Sequence, residues 1–376
     1  MSFIVNFDSN AAIPVIATYA EKLGASIALI GIIVGVYSMV HIPSNIIFGR
    51  LVDRIGRKSL ITIGVMLDGL SMLLYSLAKD PIFLLFARIV HGVGGGFGGP
   101  ATMAYISDAT SQKRSGRGMA LYGISIGFSN LVGFLLGGMV AQIIGESILF
   151  FIIAILLFIM AFSSFYLPSI YHPSKEKLKF KEEIKIFRKT VLRRSMISPY
   201  SSILAMMFNM GIVTAVYTIM LERNKYTVGQ TGMILSIMVI FSILIHYPAG
   251  IMSDKIGHIK IMFIGLLLVA AAFGTLMISF EVPIPMIGML LLGLGHGLIF
   301  PSSAGFIKEQ TKESESGIAT GTFYALIVAG VAIGAPISGQ VYEIYTEQIT
   351  LLLGVFTPLI VAFILLIMFF FFKKSK

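Results

Sequence analysis

Few residues in this chain are placed to do chemistry. Asp8 lies in Asn6-Phe7-Asp8-Ser9-Asn10, inside the first long apolar run. A carboxylate at mid-bilayer costs about 2.5–3.5 kcal/mol on insertion scales, so one kept there is seldom idle. Arg88 is the only lysine or arginine deep within an apolar run. A desolvated acid tends to hold its proton, while a nearby cation favours ionisation. A site balanced between those effects can exchange a proton for a cationic or polar small molecule. His41, His91, His246 and His296 also fall in apolar runs, where polar side chains commonly hydrogen-bond across helices. Their spacing shows no metal-ligand pattern, and no metal site is expected. Asn45, Asn130 and Gln142 read as helix-packing polar groups.

These side chains need a scaffold, and composition says what kind. Of 376 residues, 56% are hydrophobic and 12% charged, against about 25% charged in a soluble domain. Mean hydropathy is +0.92. Too few polar residues remain to coat a soluble protein of this size, so the solvent is lipid. Apolar runs of about 20 residues without strand-like alternation indicate helices, not a barrel. Twelve spans are expected, at 1–20, 27–49, 59–78, 82–105, 117–144, 147–168, 198–222, 228–250, 259–279, 284–307, 317–342 and 350–372. The first reads as a retained helix: it lacks a basic leader and ends in Tyr19-Ala20-Glu21-Lys22. It is several residues shorter than the seventh, so its start is open.

The net charge of +10 sits in loops between apolar runs, which is the positive-inside pattern and not a nucleic-acid surface. One side holds the 50–58 turn, Lys113-Arg114, the segment Ser169–Arg194, the 251–260 turn, Lys308, Lys312 and Lys373-Lys374. The other holds little more than Lys22, Lys79, Arg223 and Lys225. The basic side is expected in the cytoplasm, with both termini, in a plasma-membrane protein. There are no cysteines, which excludes disulfides, thiol chemistry and thiolate metal sites. Gly92-Val93-Gly94-Gly95-Gly96-Phe97-Gly98-Gly99 lacks the Lys-Ser/Thr of a phosphate loop and follows no strand, so it reads as helix packing. No nucleophile–base pair is visible, and an enzyme is not expected.

A tight basic turn, Gly49-Arg50-Leu51-Val52-Asp53-Arg54-Ile55-Gly56-Arg57-Lys58, returns in weaker form at Gly250-Ile251-Met252-Ser253-Asp254-Lys255-Ile256-Gly257-His258. The offset is 201 residues. In the same register Glu21 meets Glu222, Gly92 and Gly94 meet Gly293 and Gly295, Pro100 meets Pro301, and Ser115-Gly116 meets Ser316-Gly317. Asp8 meets Asn209. The chain therefore reads as a duplication: a six-helix bundle over 1–168, a linker over 169–197 and a second six-helix bundle over 198–376. The expected class is an all-α membrane protein of twelve transmembrane helices in two pseudo-symmetric bundles.

The basic turn resembles the major facilitator superfamily signature G-x-x-x-D-R-x-G-R-[RK]. Gly49, Asp53, Arg54, Gly56, Arg57 and Lys58 fill every position of it. Arg88-Ile89-Val90-His91-Gly92 resembles the family's R-x-x-x-G motif on helix 4. Gly127 to Gly138 resembles its antiporter-associated glycine motif, except that Phe134 stands where a proline is usual. The resemblance implies alternating access by two bundles about a central site. Asp53 and Arg54 would form a cytoplasmic latch with the start of helix 11 near Gly317, and Asp254 a weaker one near Gly116. It also implies that helices 1, 4, 7 and 10 line the cavity. That makes Asp8 and Arg88 partners, directly or through water, with Asn209, His91 and His296 as further candidates for coupling or substrate binding. Asp68, on a more peripheral helix 3, reads as a polar packing partner.

The function expected is proton-coupled efflux of amphipathic drugs or metabolites. A cavity rich in the chain's 29 Phe and 21 Met suits such cargo better than sugars. An uptake symporter for an organic acid bound by Arg88, and a non-transporting membrane sensor, are the rival readings. A small-molecule substrate and the lipid bilayer are the expected partners, with no nucleic acid, a monomeric state, and no cofactor beyond a proton gradient.

Overall fold

The structure, a computed structural model, describes residues 2–109, 115–169 and 187–373, without the side chains of 2, 49–55, 99–100, 103–104, 107–109, 115–123, 313–314, 316 and 369–373. The described residues hold long helices and no strand. They are α1 (Ser2–Lys22), α2 (Ile27–Ile55), α3 (Arg57–Leu77), α4 (Pro81–Ala109), α5 (Ser115–Ile144) and α6 (Glu146–Ser164), then α7 (Arg194–Arg223). α8 (Val228–Ile256), α9 (His258–Leu276), α10 (Ile284–Gln310), α11 (Glu313–Ile344) and α12 (Glu347–Lys373) follow. Eleven of these are long and apolar enough to cross a bilayer. The twelfth, α1, is diluted by Asn6, Asp8, Ser9 and Asn10.

The basic turn is tighter than the sequence suggests. Its residues to Ile55 complete α2, Arg57 opens α3, and Gly56 alone separates them. Gly56 has φ 92 and ψ 144, and its repeat partner Gly257 has φ 102 and ψ 134. That mirror-β region is open to glycine and strained for other residues. Beyond the turn, Lys58 Nζ donates to the Phe165 carbonyl at 2.7 Å, tying α3 to the end of α6.

The chain forms two compact units: Met1–Lys175 with Thr214–Met233, and Glu176–Val213 with Ile234–Lys376. In unit 1, α2 packs on α4, α3 on α4 and α6, and α1 on α5. In unit 2 the plan repeats, with α9 on α10 and α12 and α11 on α7. Each copy interrupts its leading helix. α1 carries Pro14, and α7 carries a π-helical turn at Val213–Tyr217, which contains position 215, the repeat partner of 14.

Residues 170–186 of the linker, with Lys175, Lys177, Lys179 and Lys181, lie outside the described residues. Its end is anchored to unit 2. Arg193 donates to the Gln310 carbonyl at 2.6 Å and to both carboxylate oxygens of Glu315 at 2.9 Å. The bidentate fork grips the end of α10 and the first turn of α11 at once.

Candidate functional site

Unit 1 gathers its polar side chains where α1, α2, α3 and α4 meet. Asp8, Asp68, Arg88 and His91 are all buried. Arg88 leaves α4 sideways. Its Nε donates to the Ile33 carbonyl at 3.0 Å and its Nη2 to the Val34 carbonyl at 2.9 Å, both on α2. Its Nη1 lies 3.3 Å from the Tyr75 hydroxyl, and its Cζ lies 4.9 Å from the Tyr37 ring centre, a cation–π distance.

The rest of the chain of contacts has a direction. Arginine only donates, so the Tyr75 oxygen accepts and its proton points to His91 Nδ1, 2.8 Å away. In the neutral ring the remaining proton is then on Nε2. That nitrogen lies 3.2 Å from Ser9 Oγ and 3.4 Å from Asp8 Oδ2. Asp8 Oδ1 accepts from the Ser9 amide at 2.6 Å. Arg88, Tyr75, His91 and Asp8 thus form a relay across α4, α3, α4 and α1.

This corrects the expected pairing. Asp8 and Arg88 do not meet, because two α2 carbonyls offer the guanidinium fixed acceptors, and Tyr75 and His91 stand between acid and cation. Asp68 is a member of the cluster, not a peripheral packing group. Oxygens of Asp8 and Asp68 and Nε2 or Nδ1 of His91 lie within 4.8 Å of one another. These groups come from three helices, so no local spacing in the sequence could show that they meet. Asp68 Oδ1 has no hydrogen-bond donor among the described residues, while Asp8 Oδ2 meets His91 Nε2 at a long 3.4 Å. Asp68 Oδ1 is held in place by Gly94, where a Cβ would collide with it.

The other candidates are scattered. Asn209, in unit 2, is fully buried. Its Oδ1 accepts from Thr357 at 3.4 Å, and its Nδ2 has no partner among the described residues. His296 is buried, with Nε2 likewise unpartnered. The latch side chains Gly49, Asp53 and Arg54, and Gly116, lie outside the described side chains. Asp254 is exposed, 3.9 Å from His258 Nε2, which is 3.6 Å from Glu309. These three line a cavity of about 710 Å3 with Lys260, Phe306 and Lys308.

Ser9, Tyr37 and Tyr75 were not singled out from the sequence, where two tyrosines in apolar runs look like core. Their signal lies in the repeat: their partners at +201 are Met210, Met238 and Leu276.

A family model described as Major Facilitator Superfamily matches residues 1–205 and 199–376. An uncharacterised MFS-type transporter of Methanocaldococcus jannaschii is 26% identical over 88% of this chain and 86% of its own length. The multi-drug resistance efflux pump PmrA of Streptococcus pneumoniae is 23% identical over 90% of this chain and 88% of its own. Multidrug resistance protein 2 of Bacillus subtilis is 30% identical, but over 34% of this chain and 32% of its own. Among solved structures, the nucleoside transporter NupG superposes with a TM-score of 0.82 at 14% identity, over 98% of this chain and 97% of its own.

Proposed function

The chain belongs to the Major Facilitator Superfamily, and from that premise we propose that it exports amphipathic drugs or metabolites in exchange for protons. Membership makes it a multi-pass membrane transporter of a small molecule, not an enzyme. Proton coupling, export and a plasma-membrane location with both termini in the cytoplasm are the parts proposed.

One observation carries the coupling. The relay from Arg88 through Tyr75 and His91 ends at Asp8, beside Asp68, whose Oδ1 is buried without a donor. Such oxygens are costly unless something compensates them. A proton that comes and goes would do so. The names of the Streptococcus and Bacillus relatives support drugs as cargo. Export draws further support from α5. A Cβ at Gly137 would collide with α1, and one at Gly138 with the start of α8, so this close packing stands without the proline that Phe134 replaces. The organic-acid symporter is disfavoured, because the donors Arg88 would offer a carboxylate are engaged by Ile33, Val34 and Tyr75.

Proteoliposomes with an imposed pH gradient test the reading. Lipophilic cations should accumulate against the proton flux. Cargo that moves with protons would support symport instead, and no movement of any panel member would remove the transport assignment of this cargo class.

A further inference from the structure

We propose that Asp8, Asp68 and His91 form a binding site for a divalent transition-metal ion of the Zn2+ kind, held between α1, α3 and α4 within unit 1. Asp68 Oδ1 is buried without a donor, and Asp8 Oδ2 meets only a long approach from His91, in residues 1% and 0% exposed. Both acids reach the same spot as the His91 ring, itself 0% exposed. The donor atoms all lie within 4.8 Å of one another, and His91 Nε2 is 3.4 Å from Asp8 Oδ2. An ion bound at about 2.0–2.2 Å from each donor wants them roughly 3–4 Å apart. The Asp8–His91 pair already meets that spacing, and small side-chain rotations bring in Asp68.

Charge points the same way. Two carboxylates and one neutral imidazole balance a divalent ion. The nearest cation, Arg88, directs its donors to Ile33, Val34 and Tyr75 and offers the acids nothing directly. Tyr75 donates to His91 Nδ1, which fixes the ring and leaves Nε2 facing the acids once its proton is displaced. Such an outer partner is the usual companion of a ligating histidine. Ser9 Oγ, 3.2 Å from Nε2, stands ready beside the three donors. A set of imidazole and carboxylate without sulfur suits Zn2+ or Mn2+, and the nitrogen disfavours Mg2+ and Ca2+. A bound ion would cross-link three helices of one unit and compete with protons for the same atoms. The proposal goes beyond the proton-coupling reading. It rests on ligand geometry and is measured without transport, so either can fail while the other stands.

The test uses the full chain in detergent, with any purification tag removed, stripped with chelator and titrated with Zn2+ by calorimetry and elemental analysis. One tightly bound Zn2+ per chain is expected. Asp68→Asn and His91→Gln should each weaken binding by more than about tenfold. His258→Gln, in the Asp254–His258–Glu309 group of unit 2, should leave it unchanged, and Mg2+ should not displace the ion. X-ray absorption on the Zn2+-loaded wild type should show an oxygen and nitrogen shell with one imidazole, a readout that does not depend on how the variants fold. Absence of a stoichiometric ion, loss of binding in His258→Gln alone, or two or more imidazoles in the shell would each overturn the site.

Discussion

In unit 1, Asp68 of α3 rests against Gly94 of α4; at the repeat-related place in unit 2, Val269 of α9 rests against Gly295 of α10. The backbone solution is the same and the chemistry is not. The substitution extends across the cluster. Tyr75, Arg88 and His91 have the repeat partners Leu276, Met289 and Leu292, all fully buried. Tyr37 is matched by Met238. Only Asp8 keeps a polar partner, the neutral Asn209. One copy of the fold has a polar interior at the point where the other is dry. Helix packing therefore cannot be what requires the acids, the arginine or the histidine, because unit 2 packs without them. Unit 2 serves as an internal control for unit 1.

Exchanging residues between the copies tests that split. Asp8→Asn, which gives unit 1 the residue of unit 2, should reduce proton-driven transport on the order of 100-fold, the scale of losing a positioned proton-transfer group. The protein should still fold and insert, and near-normal gradient-driven flux in proteoliposomes would end the functional reading of the polar copy. Val269→Asp, the reverse exchange, puts an unpartnered acid into the dry copy. It should destabilise the protein by about 3 kcal/mol, seen as a lower melting temperature in detergent, whereas Asp68→Val should lose activity with little loss of stability. Equal thermal penalties for the two would mean the units are not chemically distinct.

Tyr75→Phe cuts the relay and leaves Arg88 Nη1 and His91 Nδ1 without their shared partner. A cost of about 1–3 kcal/mol follows from stranding buried polar groups, to be read from thermal melts in detergent. Gly56→Ala and Gly257→Ala should each cost about 1–3 kcal/mol, and by similar amounts, since both turns have nearly the same backbone. Unequal costs would show that the strong and weak basic turns differ in geometry as well as charge.

The smallest effect belongs to unit 2 alone. The Arg193 guanidinium holds the Glu315 carboxyl below its ordinary value of 4.5. A carboxyl lowered in the folded state adds stability above its unfolded value, and that share is lost as pH falls through the folded value. Glu315→Gln should therefore flatten the acid limb of a melting-temperature profile below about pH 4.5 and leave the neutral region little changed.

The sequence made the fold legible because apolar runs of membrane length and a 201-residue repeat are both one-dimensional signals. The site was legible in part. Asp8, Arg88 and His91 stood out as polar groups in lipid-length runs. Their partners did not, because a helix that is apolar on every side does not declare which face meets which neighbour. Charge and helix position pair Arg88 with Asp8, whereas geometry pairs it with Ile33 and Val34. Helix number alone makes Asp68 peripheral, although Gly94 opens α4 to receive it. Tyr75 looked like core until His91 and Arg88 were found on either side of its hydroxyl.

Pro14 in α1 and the π turn of α7 have a mechanical consequence. A proline removes one rung of the hydrogen-bond ladder, and a π turn widens it by one residue; both are recognised places where helices kink. The two lie at corresponding residues of the repeat, 14 and 213–217, by unrelated means. Each leading helix thus carries a defect in its hydrogen-bond ladder at a matching point of its own sequence. After duplication the copies parted in chemistry, one wet and one dry, yet both retained a softened spine at matching residues, so bending compliance is common to the copies while buried charge belongs to one.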